Sequence, residues 1–139
     1  MQRILAFDVG ERRIGIAVSD ALGITAQGVE TYTRTGELEK DITYLLSVAQ
    51  RYQPVKLLFG MPRNMNGTYG PQAETIKAFA AELLKQWDGP YDFCDERLTT
   101  VSAERVLLEA DMRRDKRKQV IDKLAAVIIL QSYMESHPF

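Results

Sequence analysis

Three acidic residues, in three separate segments, have the positions expected of metal ligands. Asp8 ends an apolar strand-like run, Glu96 follows a short strand, and Asp122 interrupts an apolar helical series. A carboxylate in such a setting is costly unless something compensates its charge. Carboxylate oxygens suit Mg²⁺ and Mn²⁺, and two such ions can support in-line cleavage of a phosphodiester. We therefore expect Asp8, Glu96 and Asp122 to converge as catalytic residues and as ligands of Mg²⁺ or Mn²⁺.

The first two acids also have structural interpretations. Asp8 could cap the hairpin turn that follows it through backbone amides. Glu96 could belong to a polar loop before a helix, and Asp95 competes for its role. Because consecutive strand residues point to opposite faces, only one of this pair should face the site, and we choose Glu96.

Asp122 is the most informative of the three. Its helical neighbours three and four positions later are Ala125 and Ala126, and such small residues let a helix approach a sheet closely. An acid on this inward side is hard to justify by structure alone. The alternative is a boundary acid paired with Lys118 or Lys123.

Basic and polar side chains close to these acids are candidates for contacts with a nucleic-acid backbone. Arginine and asparagine in loops can hydrogen-bond phosphate or sugar oxygens. The candidate substrate-binding residues are Arg63, Asn64, Arg97 and Lys118. Arg12 and Arg13 at a hairpin tip, with the basic run 113–118, could form a longer basic track.

Composition limits the classes of protein to consider. The 139 residues fit one domain, 1–139, and the net charge of -1 gives no global positive field for nucleic acid. One cysteine and one histidine, Cys94 and His137, argue against a disulfide framework or a zinc site. We find neither an export signal nor a run of roughly 18 apolar residues, so a cytoplasmic protein without a membrane segment is expected.

The hydrophobic pattern predicts a mixed α/β sheet with helices on its faces. Three strands come first and should pair in antiparallel order, because short turns join them. Strands then alternate with helices. The expected strands are 4–8, 14–18, 25–33, 55–59 and 91–94, and the expected helices are 38–49, 71–84, about 100–110 and about 115–134.

Four segments in order resemble the YqgF (RuvX) family over essentially the whole chain. They are 6–10 continued by 15–17, 60–62 continued by 66–68, 95–100, and Asp122 with its alanine-rich apolar tail. The resemblance implies an RNase H-like fold, with a five-stranded mixed sheet, its first three strands antiparallel and helices on both faces. It also implies maturation of the 5′ end of 16S ribosomal RNA and kinship to Holliday-junction resolvases. Asp8, Glu96 and Asp122 match the family's acidic positions.

Several functions stay open on the sequence. The first choice is a nuclease acting on pre-rRNA, with ribosomal particles as further partners, as a monomer or homodimer. A resolvase or another structure-selective DNA nuclease would need a symmetric dimer to make paired cuts. A noncatalytic RNA-binding ribosome assembly factor is a further candidate. So is an ATPase-like phosphate-binding module, which is disfavoured because the chain has room for only one such domain.

Overall fold

Five strands form one mixed sheet in the order β3-β2-β1-β4-β5. The computed structural model describes residues 3–22, 24–61, 70–95 and 114–136. The first three strands are antiparallel, whereas β4 runs parallel to both β1 and β5. This arrangement confirms the predicted sheet. The strands are β1 (Ile4–Val9), β2 (Arg13–Ser19), β3 (Ala26–Thr33), β4 (Lys56–Met61) and β5 (Tyr91–Asp95).

Three helices complete the described architecture, and their ends follow local sequence signals. They are α1 (Leu38–Tyr52), α2 (Pro71–Leu84) and α3 (Arg114–Ser136). Helix α1 extends three residues beyond the expected 38–49 and ends before Pro54, where Gln53 adopts a left-handed conformation with φ 48°. Pro71 occupies the first turn of α2, where its missing N–H costs nothing. The helix expected at about 100–110 lies outside the described residues.

The two faces of the sheet are covered by different helices. On one face α1 and α2 bury a large apolar cluster around Phe7 and Phe59, whose rings lie 5.7 Å apart. On the other face α3 packs Ala126, Ile129 and Leu130 against a smaller cluster. Side chains of each central strand therefore alternate between two apolar environments, which explains the nearly continuous hydrophobic runs of β1 and β2.

Small residues let α3 lie close to the sheet. Ala6, Ala17 and Gly28 form a register row across β1, β2 and β3. Both alanines are fully buried under α3, and the side chain of Lys123 lies over Gly28, where a Cβ would come within 2.8 Å of it. The helix thus crosses three strands with its first half near β3.

Contacts near the end of α3 fix its direction. The Tyr133 hydroxyl accepts a 2.8 Å hydrogen bond from Lys56 Nζ and donates a 2.9 Å bond to Asp92. Lys56 and Asp92 lie at the amino ends of β4 and β5, so α3 runs opposite to these strands. Its first half therefore lies towards their carboxyl ends.

Removing the Tyr133 hydroxyl should loosen this end of α3. Burial is the main cause that raises the pKa of Tyr133, so its proton remains available to Asp92. Tyr133→Phe loses two hydrogen bonds to charged groups, and we expect a loss of about 1–2 kcal/mol in unfolding free energy, measured by urea denaturation. Tyr91→Phe, at a tyrosine that is 52% exposed, is the matched control. Equal stabilities of the two variants would contradict a stabilising role for the hydroxyl.

Among the described residues, no helix is long and apolar enough to cross a bilayer.

Candidate active site

Asp8 lies near the carboxyl end of β1, on the face that α3 covers. It alternates with Ile4 and Ala6, which are buried against α3, while Phe7 and Val9 point to the opposite face. Asp8 is half-buried in a strand whose other residues are all buried. The central strand of a five-stranded sheet is rigid, so this carboxylate has a well-defined position.

Glycines flank Asp8 on both neighbouring strands. Gly15 is its register partner in β2, and Gly60 follows Phe59, the partner of Phe7 in β4. Neither of these neighbouring positions carries a side chain beyond its backbone. The sequence contains both glycines, but only the strand register reveals that they frame the aspartate.

The remaining predicted site residues are only partly within the described structure. The backbones of Asp122 and Lys118 lie in α3, with Asp122 one turn before the buried Ala126. Glu96, Arg63, Asn64 and Arg97 lie outside the described residues. Within the described part of the chain, no three histidine, cysteine or acidic residues form a group that could hold a metal ion. Of the three acids, the structure therefore describes Asp8 with its side chain and Asp122 by its backbone alone.

The turn after Asp8 depends on Gly10. The Gly10 N–H donates a 2.9 Å hydrogen bond to the Arg13 carbonyl, which closes the β1–β2 hairpin. A Cβ on Gly10 would lie 2.7 Å from the same carbonyl oxygen. Since that contact is to backbone, the turn itself must move to accept any side chain.

Gly10→Ala should therefore distort the segment that carries Asp8. We expect it to lower unfolding free energy by about 1–3 kcal/mol and to reduce any activity that depends on Asp8. Gly28→Ala is the comparison, because its new Cβ also makes a short contact, at 2.8 Å, but the nearest atoms belong to the Lys123 side chain and not to backbone. Thermal unfolding of the two variants checks the expectation, and an equal or smaller loss at Gly10 would refute it.

A hydrogen-bond network around one buried aspartate also stabilises this turn. Asp41, with 0% relative exposure, accepts hydrogen bonds from Tyr32 Oη at 2.9 Å, Arg34 Nε at 3.2 Å, and the Thr35 amide and hydroxyl, both at 3.0 Å. Arg34 in turn donates a 2.9 Å bond to the carbonyl of Gly10, two residues after Asp8. The start of α1 is thus tied to the end of β1. Sequence reasoning missed this network, because nothing local marks Asp41 as buried.

The network makes part of the protein's stability dependent on pH. Burial alone would raise the pKa of Asp41, but hydrogen bonds from Thr35, Tyr32 and Arg34 outweigh it and hold the pKa below the ordinary 3.8. A depressed folded pKa contributes stability above pH 3.8 that is lost as the pH falls through the folded value. Burial, followed by the hydrogen bond to the Asp41 carboxylate and its negative charge, raises the pKa of Tyr32 to about 12, so its hydroxyl remains a donor.

We expect the difference in unfolding free energy between wild type and Asp41→Asn to become smaller as the pH is lowered. Denaturant unfolding of both proteins from about pH 6 to about pH 3 measures this difference, which should shrink as the pH falls past 3.8 and the Asp41 carboxyl of the unfolded chain takes up a proton. A difference that stays constant over that range would show that the carboxylate is not the stabilising form.

The sheet order and the placement of the helices correspond to the RNase H-like fold. The described protein aligns with Thermus thermophilus RuvC in complex with a Holliday junction substrate at a TM-score of 0.58 and 14% identity, covering 99% of this chain and 97% of that one. The yeast mitochondrial Holliday junction resolvase Ydc2 gives a TM-score of 0.56 at 11% identity, covering 96% of this chain and 78% of that one. These similarities establish a RuvC-like fold and confirm the predicted fold class.

Sequence comparison then defines the family. The family model described as "RuvX: Holliday junction resolvase" matches residues 2–136. Relatives named "Putative pre-16S rRNA nuclease" include one from Clostridioides difficile, 54% identical over 96% of this chain and 94% of that protein. Another, from Syntrophomonas wolfei, is 53% identical over 96% of this chain and 94% of its own length. The chain belongs to the RuvX family, as its motifs indicated.

Proposed function

We propose that this protein is a divalent-metal-dependent endonuclease that hydrolyses phosphodiester bonds in the maturation of the 5′ end of 16S ribosomal RNA. The observation that supports this most strongly is Asp8, fixed on the central strand of a RuvC-like sheet and flanked by glycines. Relatives about half identical to this chain carry the pre-16S rRNA nuclease name, which favours RNA as the substrate.

The described structure favours Glu96 as the second carboxylate. In β5, Phe93 contacts the cluster under α1 and α2, while Cys94 contacts the cluster under α3. Every second residue of a strand returns to the same face, so a strand continued past the described end of β5 would bring position 96, not 95, to the face of Cys94 and Asp8. This alternation supports Glu96 over Asp95.

The direction of helix α3 supports Asp122 as the third carboxylate of the proposed metal site. It runs opposite to the parallel strands, so its earlier residues lie towards their carboxyl ends, as Asp8 does. Residue 122 precedes Ala126 by four positions and Ile129 by seven, a spacing that shares one helix face. Both of those residues are fully buried against the sheet.

The residues fit a hard divalent cation. Asp8 is a half-buried carboxylate, and the proposed set contains oxygen ligands only, which Mg²⁺ and Mn²⁺ prefer. Asp8, Glu96 and Asp122 would hold the ions. When bound, such ions supply charge stabilisation to a phosphodiester undergoing in-line displacement. The protein's part is to fix Asp8 on a stiff strand between two glycines.

The rest of the proposal concerns substrate and setting. Arg63, Asn64, Arg97 and Lys118 would contact the phosphate and sugar of the substrate strand. The chain would act as one domain, 1–139, in the cytoplasm, as a monomer or homodimer, with pre-rRNA and ribosomal particles as partners. No global positive charge supports this binding, since the net charge is -1, so contacts must be local.

The experiment that tests the function compares two substrates. Purified protein is incubated with a 16S rRNA precursor and with a four-way DNA junction, each with Mg²⁺, Mn²⁺ or EDTA. We expect cleavage near the mature 5′ end of the RNA with either metal and none with EDTA. Tight RNA binding without metal-dependent cleavage would instead identify a noncatalytic assembly factor.

A second candidate function is Holliday-junction resolution. It is favoured by the description of the matching family model and by the RuvC-like fold. Paired symmetric cuts in the four-way junction, made by a protein that is dimeric in sedimentation, would select this function over RNA processing.

A further inference from the structure

A large cleft opens beside the proposed active site, on the opposite face of the sheet from Asp8. Its volume is about 1010 Å³. The tip of the β1–β2 hairpin and the end of β3 form one wall, and the first turn of α2 forms the other. Because Val9 and Gly10 belong to the lining, the cleft begins one residue from the proposed catalytic aspartate.

One wall carries a guanidinium that is fixed in place. Arg34 is held by the buried carboxylate of Asp41 and by the Gly10 carbonyl, and its side chain keeps 20% exposure. It also lies over the Phe79 ring, 5.0 Å from the ring centroid. These contacts use Nε and one N–H of a group that has five, so further donors remain for a ligand. Burying the Asp41 carboxylate beside this arginine has a desolvation cost. That cost is consistent with a role for Arg34 in binding a ligand in the cleft.

The hairpin tip supplies a second guanidinium. Arg12 is exposed and lines the cleft, and within the described part of the chain its side chain makes no hydrogen bond or ion pair. Among the described lining residues Glu11 is the one carboxylate, and it is also exposed. The cleft thus combines a fixed arginine and an exposed one, and the guanidinium group is the side chain best suited to bind phosphate oxygens.

We propose that this cleft holds a backbone phosphate of the substrate's RNA strand, with Arg12 as the charged contact and Arg34, oriented by Asp41, as the fixed one. The inference rests on the proposed function. It adds a second contact with the substrate, on the face of the sheet opposite to Asp8. A strand held at both Asp8 and the cleft would be aligned across the carboxyl end of β1. Such alignment positions a scissile bond without requiring base recognition.

The test measures binding without cleavage. A fluorescent single-stranded RNA from the 16S rRNA precursor is titrated with protein in EDTA over a range of salt concentrations. We expect Arg12→Ala to weaken binding about threefold to tenfold and to reduce the slope of log affinity against log salt by about 0.7. Arg51→Ala, which removes an exposed arginine at the far end of α1, is the matched control and should leave the slope unchanged.

Further variants separate ligand contact from structural support. Arg34→Lys keeps the charge but not the planar fork, so affinity should fall while the salt slope stays near that of wild type. Tyr32→Phe removes one hydrogen bond from Asp41 without touching Arg34, and should lower stability but not affinity. Glu11→Gln should tighten binding, because it removes the carboxylate nearest to the phosphate.

Each outcome decides the proposal. If Arg12→Ala binds RNA with the affinity and slope of wild type, the cleft contact is wrong, although the proposed nuclease function survives. If wild type binds no RNA and cuts none, the proposed function fails, and this inference fails with it. Inorganic phosphate at constant ionic strength should not stabilise wild type against heat more than Arg12→Ala. Stabilisation of wild type alone would reveal a free-anion site and overturn the strand contact.

Discussion

Asp8→Asn is expected to reduce metal-dependent cleavage of the RNA precursor by at least about 10³-fold. That factor corresponds to about 4 kcal/mol of lost transition-state stabilisation, a reasonable share for a ligand of the catalytic ions. The amide keeps the size of the side chain but removes its charge, so the hairpin and the flanking glycines should be undisturbed. Single-turnover kinetics with saturating protein measures the change free of binding effects.

The control for Asp8 is an aspartate at the other end of the sheet. Asp20 accepts hydrogen bonds from the Ile24 and Thr25 amides in the β2–β3 turn. Asp20→Asn should retain cleavage while costing some stability. Equal activity of Asp8→Asn and wild type would remove the carboxylate mechanism, and an equal loss in both variants would point to general destabilisation instead.

Asp41→Ala is expected to produce the largest loss of stability of any single substitution in the network behind the turn. It removes the carboxylate that accepts from Arg34 Nε and the Tyr32 hydroxyl, in a site where Asp41 has no exposure and Arg34 only 20%. Removing one member of a buried pair costs about 3 kcal/mol or more, which in a chain of this size lowers the melting temperature by about 10 °C. Differential scanning calorimetry provides the measurement.

Two further variants show whether the lower melting temperature of Asp41→Ala is caused by the loss of its ion pair with Arg34. Asp41→Asn preserves an acceptor for the Thr35 amide and should recover part of the loss. Glu39→Ala, at an exposed acid of the same helix turn, should change the melting temperature by much less. If Asp41→Ala melts close to wild type, the network contributes little and Arg34 must be held by other contacts.

Much of the fold could be predicted from sequence because its signals are local. Pro54 and Pro71 mark a helix end and a helix start by excluding backbone conformations and hydrogen bonds. The alternation and length of the apolar runs indicated the first three strands and their antiparallel order. The resemblance to the RuvX family then implied a single five-stranded mixed sheet with helices on both faces, whereas the strand order comes from the structure.

What could not be predicted depends on contacts between distant segments. The framing of Asp8 by Gly15 and Gly60 requires the pairing register of three strands. Asp41 sits in a polar stretch and gives no sign of burial, because Arg34 and Tyr32 approach it only once β3 packs beside α1. The sequence suggests a basic track that includes Arg12, but the place of Arg12 in a cleft next to Arg34 comes from the tertiary structure.

The central claim is that Asp8, Glu96 and Asp122 together hold the catalytic ions. The most direct measurement is anomalous diffraction from crystals soaked in Mn²⁺ at a concentration that supports cleavage. We predict Mn²⁺ peaks within coordination distance of all three carboxylates, and their disappearance in Asp8→Asn crystals. A Mn²⁺ peak elsewhere, or no peak beside Asp8 in a protein that cuts RNA under the same conditions, would contradict the claim.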